Sequence, residues 1–285
     1  MYAAKYLLSI EEFLDAENGE ALLARAFSYV DEERERKARR VRSGPVRAAS
    51  LGAGLLLQAA VREAAAAGMC APEGGGMGMA GDGLWNKPNN KPWNRPQVGL
   101  WADGEAGTTK IYEKQNEIKQ YSVNGLLEFL YGTSPISLAY VYGKEGKPYF
   151  RDLPVYFNLS HSGEYVLCAV STEEIGADIQ QHCGKDVGKL ARRFFPEREW
   201  TALERAGEER ERLFYRLWAR KEAYGKLTGK GVADALGVDL LPGEGLPGKA
   251  VPGGAEAAVL PEGRGLLWEE YGIMEAYSIA FCRFS

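Results

Sequence analysis

Apolar positions at three- and four-residue steps predict a long amphipathic helix over residues 213–226. Leu213, Leu217, Tyr224 and Leu227, flanked by Phe214 and Trp218, make its buried stripe. Phe214, Trp218, Glu222 and Lys226 follow one another at steps of four, so a carboxylate and an ammonium extend a row that begins apolar. A solvated ion pair with the acid on the N-terminal side would account for that row by itself. Gly229-Lys230-Gly231 ends the helix. Residues 50–63, rich in Ala and Leu, read as a buried helix in which Gly52, Ala53 and Gly54 let another element approach closely. Strand patterns fall on residues 2–9, 138–142, 155–159, 165–170, 266–271 and 276–284, the last two as a closing antiparallel pair. Ser9-Ile10-Glu11-Glu12 has the form of a capping box. Shorter helices are predicted over 121–131, 187–195 and 197–206, with Pro196 at the start of the last. The runs at 165–169 and 277–282 resemble each other, a hint of two similar halves.

Between residues 68 and 107 the periodicity stops. Glycines cluster at 74–76, and Asn-Lys-Pro or Asn-Arg-Pro recurs at 86–88, 90–92 and 94–96, which suits neither a helix nor a central strand. This region, near 68–120, reads as a long insertion. Trp85, Trp93 and Trp101 either pack it onto its own domain or offer a surface to a partner. Residues 241–265 are dense in Pro-Gly turns.

Composition narrows the class of protein. The 285 residues are 45% hydrophobic and 26% charged, with net charge −4, which argues for a folded soluble protein and against a general nucleic-acid binder. One basic run departs from that average: residues 34–47 hold seven Lys or Arg and a single acid, Glu35. Such a run is a solvated helix face or the seat of a small anion. The cysteines at 70, 168, 183 and 282 form no Cys-x-x-Cys pair, so neither a zinc site nor a disulfide framework is expected. No signal-peptide architecture or membrane-spanning run is read, and the expected location is the cytoplasm.

Two positions carry candidate chemistry. Asp178, within Ile175-Gly176-Ala177-Asp178-Ile179, is a turn-former or a ligand for a hard cation such as Mg²⁺, with Glu222 as its partner. Lys226, one turn beyond Glu222, could neutralise phosphates held there. Ser160-His161-Ser162-Gly163 lacks an orienting acid for a serine hydrolase and fits better as a turn presenting hydroxyls and an imidazole to a phosphate.

Taken in order, Gly146-Lys147-Pro148, residues 157–163, residues 175–179, Phe194-Phe195-Pro196-Glu197-Arg198-Glu199 and residues 218–226 resemble the 4′-phosphopantetheinyl transferases of the Sfp type. The resemblance is good over roughly residues 140–230 and looser over 30–60. It implies an α/β (α+β) fold of two similar halves related by a pseudo-twofold, 1–172 and 173–285, each a small, mainly antiparallel sheet on a long helix. It implies transfer of the phosphopantetheine arm of coenzyme A to a serine of an apo acyl, peptidyl or aryl carrier protein, releasing adenosine 3′,5′-bisphosphate. A monomer is expected, using Mg²⁺ or Mn²⁺ in its place. The residues carried over are Asp178, Glu222 and, with weaker ligation by a neutral amide, Gln180 for the metal. Lys226 would meet the pyrophosphate, Ser160 and His161 the phosphates, and Gly146, Lys147 and Pro148 the adenine side. Arg34, Lys37 and Arg47 would meet the 3′-phosphate, Arg47 standing in for an arginine that the family has where this chain has Ala49. Glu199 falls where the family has its general base, so Glu199, Glu222 and Lys226 are the expected catalytic set. The alternative is a catalytically inactive scaffold that binds coenzyme A or a nucleotide.

Overall fold

The chain lays down strand, long helix and hairpin twice. The computed structural model describes residues 3–69, 117–184, 187–241, 255–259, 265–271 and 275–285. First come β1 (Ala3–Ser9), α1 (Glu11–Leu14), α2 (Gly19–Ala26), α3 (Glu32–Arg40) and the long helix α4 (Gly44–Ala66). They are followed by β2 (Ile118–Tyr121), α5 (Val123–Leu130), the hairpin β3 (Tyr140–Tyr142) and β4 (Pro148–Phe150), then β5 (Tyr156–Ser162) and β6 (Tyr165–Ser171). The second round holds β7 (Gly176–Gln181), α6 (Val187–Phe194), α7 (Glu197–Arg205), the long helix α8 (Arg210–Thr228) and α9 (Val232–Leu236). It closes with β8 (Ala255–Val259), β9 (Gly265–Tyr271) and β10 (Tyr277–Phe284).

The strands form two four-stranded sheets, ordered β2-β1-β6-β5 and β7-β10-β9-β8. In each, the first strand of the round pairs antiparallel with the last, Leu7 opposite Leu167 and Ile179 opposite Ile279. The fold is therefore α+β and mainly antiparallel, with β1–β2 as the parallel pair.

Side-chain alternation fixes the layers. Tyr6, Leu8, Val166, Cys168 and Val170 face α4, and Leu7, Leu167 and Ala169 face the opposite way. There they meet Ala177, Ile179, Ile279 and Phe281 of the second sheet. That sheet turns Ala280, Cys282, Leu266 and Trp268 outward onto Ala219, Ala223 and Leu227 of α8. The order is helix, sheet, sheet, helix. Strands β6 and β10 are covered on both faces, which explains why their sequences resemble each other. Each Leu or Ile sealed in these layers contributes roughly 2 kcal/mol of transfer free energy.

Several expectations shift. The α1 helix is capped at Ile10 without a side-chain bond, and Ser9 Oγ accepts from Glu11 N at 3.4 Å, so no capping box forms. Glu12, the acid of that motif, instead accepts from Asn124 N on α5 at 2.9 Å. The expected insertion overruns at its end: residues 118–121 are a short polar edge strand, whose intermediate–exposed pattern gave no apolar signal. The Asn-x-Pro repeats, Trp85, Trp93, Trp101, Cys70 and most of the Pro-Gly region at 241–265 lie outside the described residues. Among the described residues, no helix is long and apolar enough to cross a membrane.

Candidate active site

Ser160-His161-Ser162 is not a turn but the end of strand β5, and the bend begins only at Gly163. On β5, Asn158, Ser160 and Ser162 share one face. That face looks toward β7, the edge of the second sheet. Asp178 sits there, 2% exposed, with every bond to its carboxylate coming from a named side chain. Ser160 Oγ donates to Oδ1 at 2.6 Å, Lys226 Nζ donates to the same oxygen at 2.7 Å, and Gln180 Nε2 donates to Oδ2 at 2.9 Å. Lys226 reaches across from α8 and also meets the carbonyls of Ala177 and Leu159 at 3.3 and 3.4 Å. The helical ion pair with Glu222 is thus replaced by a bond to the neighbouring sheet.

Glu222 lies one turn earlier on α8, half-buried. Its carboxyl is pushed up by burial and then by the charge of Asp178, while Lys226 opposes both. Gly176 makes this proximity between β7 and α8 possible, because a Cβ there would collide with the carbonyl of Ala223.

A cleft of about 560 Å³ opens from this point. Its lining gathers Arg34 and Lys37 from α3, the Gly146-Lys147-Pro148 turn, Ser160 and His161 from β5, and Lys226 from α8. Asp31 caps α3 by accepting from Arg34 N at 3.0 Å, and its other oxygen faces the Tyr140 hydroxyl at 3.4 Å. Gly54 of α4 leaves room for Arg34, whose Cγ would lie 2.7 Å from a Cβ at that position. His161 is exposed as a residue, and partial desolvation of its ring together with the charge of Lys226 holds the imidazole below its ordinary value, with Asp178 opposing.

Three expected contacts sit elsewhere. Arg47 is outside the cleft lining and pairs with Glu20 at 3.0 Å. Lys147 lines the cleft but turns its ammonium to the Leu227 carbonyl at 2.7 Å, clipping the β3–β4 turn to the end of α8. Burial holds its pKa below the ordinary lysine value, against the pull of Glu174. Glu199 is 0% exposed. Its Oε1 accepts from Leu240 N at 2.7 Å, and Oε2 lies 2.8 Å from Lys221 Nζ, which itself donates to the Val238 carbonyl at 2.6 Å. Burial pushes the Glu199 carboxyl up and the Lys221 ammonium down, each restrained by the other. In this structure the pair holds the segment that follows α9.

Among the described residues, no cluster of three or more His, Cys, Asp and Glu is present. Glu222, raised by burial and in part by the charge of Asp178, and Asp178 itself are two acidic oxygen donors of the type a hard cation takes, with the Lys226 ammonium drawn to Asp178. Gln180 presents its amide nitrogen to Asp178, so ligation through its carbonyl oxygen needs the amide to rotate. Sequence reading gave Asn158 no role of its own and took the Ser162 hydroxyl as facing a phosphate, so their shared face toward β7 was missed. The signal was there, in polar residues alternating along an otherwise apolar strand.

Comparison with known proteins gives the family. A family model described as the 4′-phosphopantetheinyl transferase superfamily matches residues 174–281. The Synechocystis protein slr0495, provisionally named a 4′-phosphopantetheinyl transferase, is 35% identical over 174 residues, 57% of this chain and 70% of that protein. The Nostoc transferase HetI is 33% identical over 164 residues, 53% of this chain and 69% of its own. Sfp of Bacillus subtilis is 33% identical over 141 residues, 48% and 59% of the two chains. The chain belongs to the 4′-phosphopantetheinyl transferase superfamily, a family of transferases.

Proposed function

We infer that the protein transfers the 4′-phosphopantetheine arm of coenzyme A to a serine of an apo carrier protein, releasing adenosine 3′,5′-bisphosphate. The observation that carries this reading is the cleft. It brings Arg34, Lys37, the 146–148 turn, His161 and Lys226 to one surface, and Lys226 links that surface to the buried carboxylate of Asp178 behind it. Arg34 and Lys37 take the 3′-phosphate, the turn takes the adenine side, and His161 and Lys226 take the pyrophosphate. Two cationic side chains at one end and a lysine with an imidazole at the other suit a ligand with two separated phosphate groups.

Asp178 and Glu222 would hold Mg²⁺, and Gln180 would offer its amide oxygen as a weaker third donor. The metal would supply charge neutralisation for the departing bisphosphate. Lys226 stabilises the same developing charge, and its three protein acceptors fix where its ammonium points. The chain acts as two halves, 1–172 and 173–285, related by a pseudo-twofold, with the ligand between them. It works in the cytoplasm as a monomer on acyl, peptidyl or aryl carriers.

The second reading is an inactive scaffold that binds coenzyme A, and the hold of Gln180 on Asp178 favours it. Intact-mass analysis of apo carriers incubated with coenzyme A, Mg²⁺ and the protein separates the two. Gain of one phosphopantetheine by a carrier is the expected result. Coenzyme A binding with no gain on any carrier would establish the scaffold.

A further inference from the structure

Strands β5 and β7 are the facing edges of two different sheets. An open edge presents unpaired amides, which natural sheets cover in some way. Here the covering is done by side chains. Asn158 Oδ1 accepts from Ala177 N at 3.2 Å, Ser160 Oγ from Ile179 N at 3.4 Å, and Ser162 Oγ from Gln181 N at 2.9 Å. Each donor lies nineteen residues beyond its acceptor, so the strands run parallel and in step. Lys226 spans the same gap between the carbonyls of Leu159 and Ala177. The far end closes at Gly163, φ +54°, where a Cβ would strike the Tyr277 hydroxyl and the Gln181 side chain.

We propose that Asn158, Ser160 and Ser162 form a side-chain ladder that joins the two sheets, and that Ser160 is the rung that positions Asp178. Its oxygen accepts from Ile179 N while its proton goes to Asp178 Oδ1, so one hydroxyl ties the carboxylate to the backbone that carries it. Both hydrogen-bonding roles of Ser160 are thereby used, although the residue lines the cleft. Ser162 makes the same kind of backbone bond without touching Asp178. The ladder therefore separates into a rung that joins and positions and a rung that only joins.

This assignment rests on the transferase reading, and the test keeps the two apart. Coenzyme A binding is followed by calorimetry in EDTA and then across a Mg²⁺ series, together with transfer kinetics, for wild type, Ser160→Ala, Ser160→Thr and Ser162→Ala. Ser160→Ala should lose more coenzyme A affinity in the Mg²⁺ series than it loses in EDTA, because the Ser160 hydroxyl is bonded to Asp178 Oδ1 and Ile179 N. It should need several-fold more Mg²⁺ and lose about tenfold in kcat with KM for coenzyme A little changed, the size expected for one hydrogen bond to a charged group. Ser160→Thr, which restores a hydroxyl, should recover most of that loss. Ser162→Ala should melt at a lower temperature and match wild type in both ligand series. A loss of coenzyme A affinity by Ser160→Ala that is the same in EDTA and with Mg²⁺ would make Ser160 a phosphate contact alone and overturn the proposal. Identical behaviour of Ser160→Ala and Ser162→Ala would also overturn it. A wild-type protein that binds no coenzyme A removes the transferase reading, and the positioning role falls with it before any variant is compared.

Discussion

Helices α4 and α8 hold the same place in the two rounds of the fold, each lying on the outer face of its sheet after the first strand. On α4 the buried polar side chains are few and spend themselves on local scaffolding. Gln58 exchanges bonds of 2.8 and 2.9 Å with the backbone of Ile136, and Arg62 donates to the Ser134 carbonyl. On α8 the charged residues reach out of the layer. Arg220 meets Glu270 on β9 at 2.6 Å, Lys221 meets Glu199 on α7 at 2.8 Å, and Lys226 meets Asp178 on β7 at 2.7 Å. One architecture thus supports an apolar wall, giving Ala49, Ser50 and Ala53 to the cleft, and a charged arm that supplies its chemistry.

The comparison breaks most visibly at Glu222. Glu222→Gln keeps the shape of a half-buried side chain but removes one of two charges at the metal end, so kcat should fall about a thousandfold with melting little changed. The counterpart on α4, Arg62→Met, should lower stability and leave turnover per folded molecule near wild type. A slow Arg62→Met enzyme, or a fast Glu222→Gln one at saturating Mg²⁺, would erase the contrast. Lys226→Ala comes next, with about a hundredfold loss shared between kcat and KM, because its ammonium serves ground state and leaving group alike. Steady-state kinetics in coenzyme A show whether both parameters move.

Glu199→Gln tests the other kind of charge on α8. Leaving Lys221 buried without its partner should cost about 3 kcal/mol of stability, read by denaturant unfolding, while kcat at low temperature stays within about threefold. A large loss of kcat in a normally stable variant would restore Glu199 as the base. The smallest effect is expected at Glu270. Burial alone would raise this carboxyl, but Arg220 and Arg216 together hold it below its ordinary value of 4.5. An acid with a lowered folded pKa stabilises above the unfolded value and loses that contribution as pH falls through the folded one. Wild-type stability should therefore decline below about pH 4.5, and the decline should be shallower in Glu270→Gln.

The stripe of α8, the closing hairpin of β9 and β10, and the positions of Asp178, Glu222 and Lys226 were legible because each is a short-range pattern with its own period. The partner of Lys226 was not. Spacing of four suggested Glu222, and only the packing of β7 against α8 across Gly176 shows Asp178 as the nearer acceptor. The burial of Glu199 was not legible either, since its place came from resemblance and nothing in a short polar helix shows that the segment after α9 will cover it. Arg47 belongs to the same basic run but pairs with Glu20, a partner nothing in its spacing indicated. The β5–β7 ladder was the least legible, because a strand period shows which residues share a face and not which edge that face will meet.

The most direct test of the account is the mass of an apo carrier protein after incubation with coenzyme A, Mg²⁺ and this enzyme, with Glu222→Gln run beside it. The account predicts one added phosphopantetheine on the carrier serine with wild type and almost none with the variant in the same time. A carrier left unmodified by wild type across acyl, peptidyl and aryl types, or modified equally by both proteins, would contradict it.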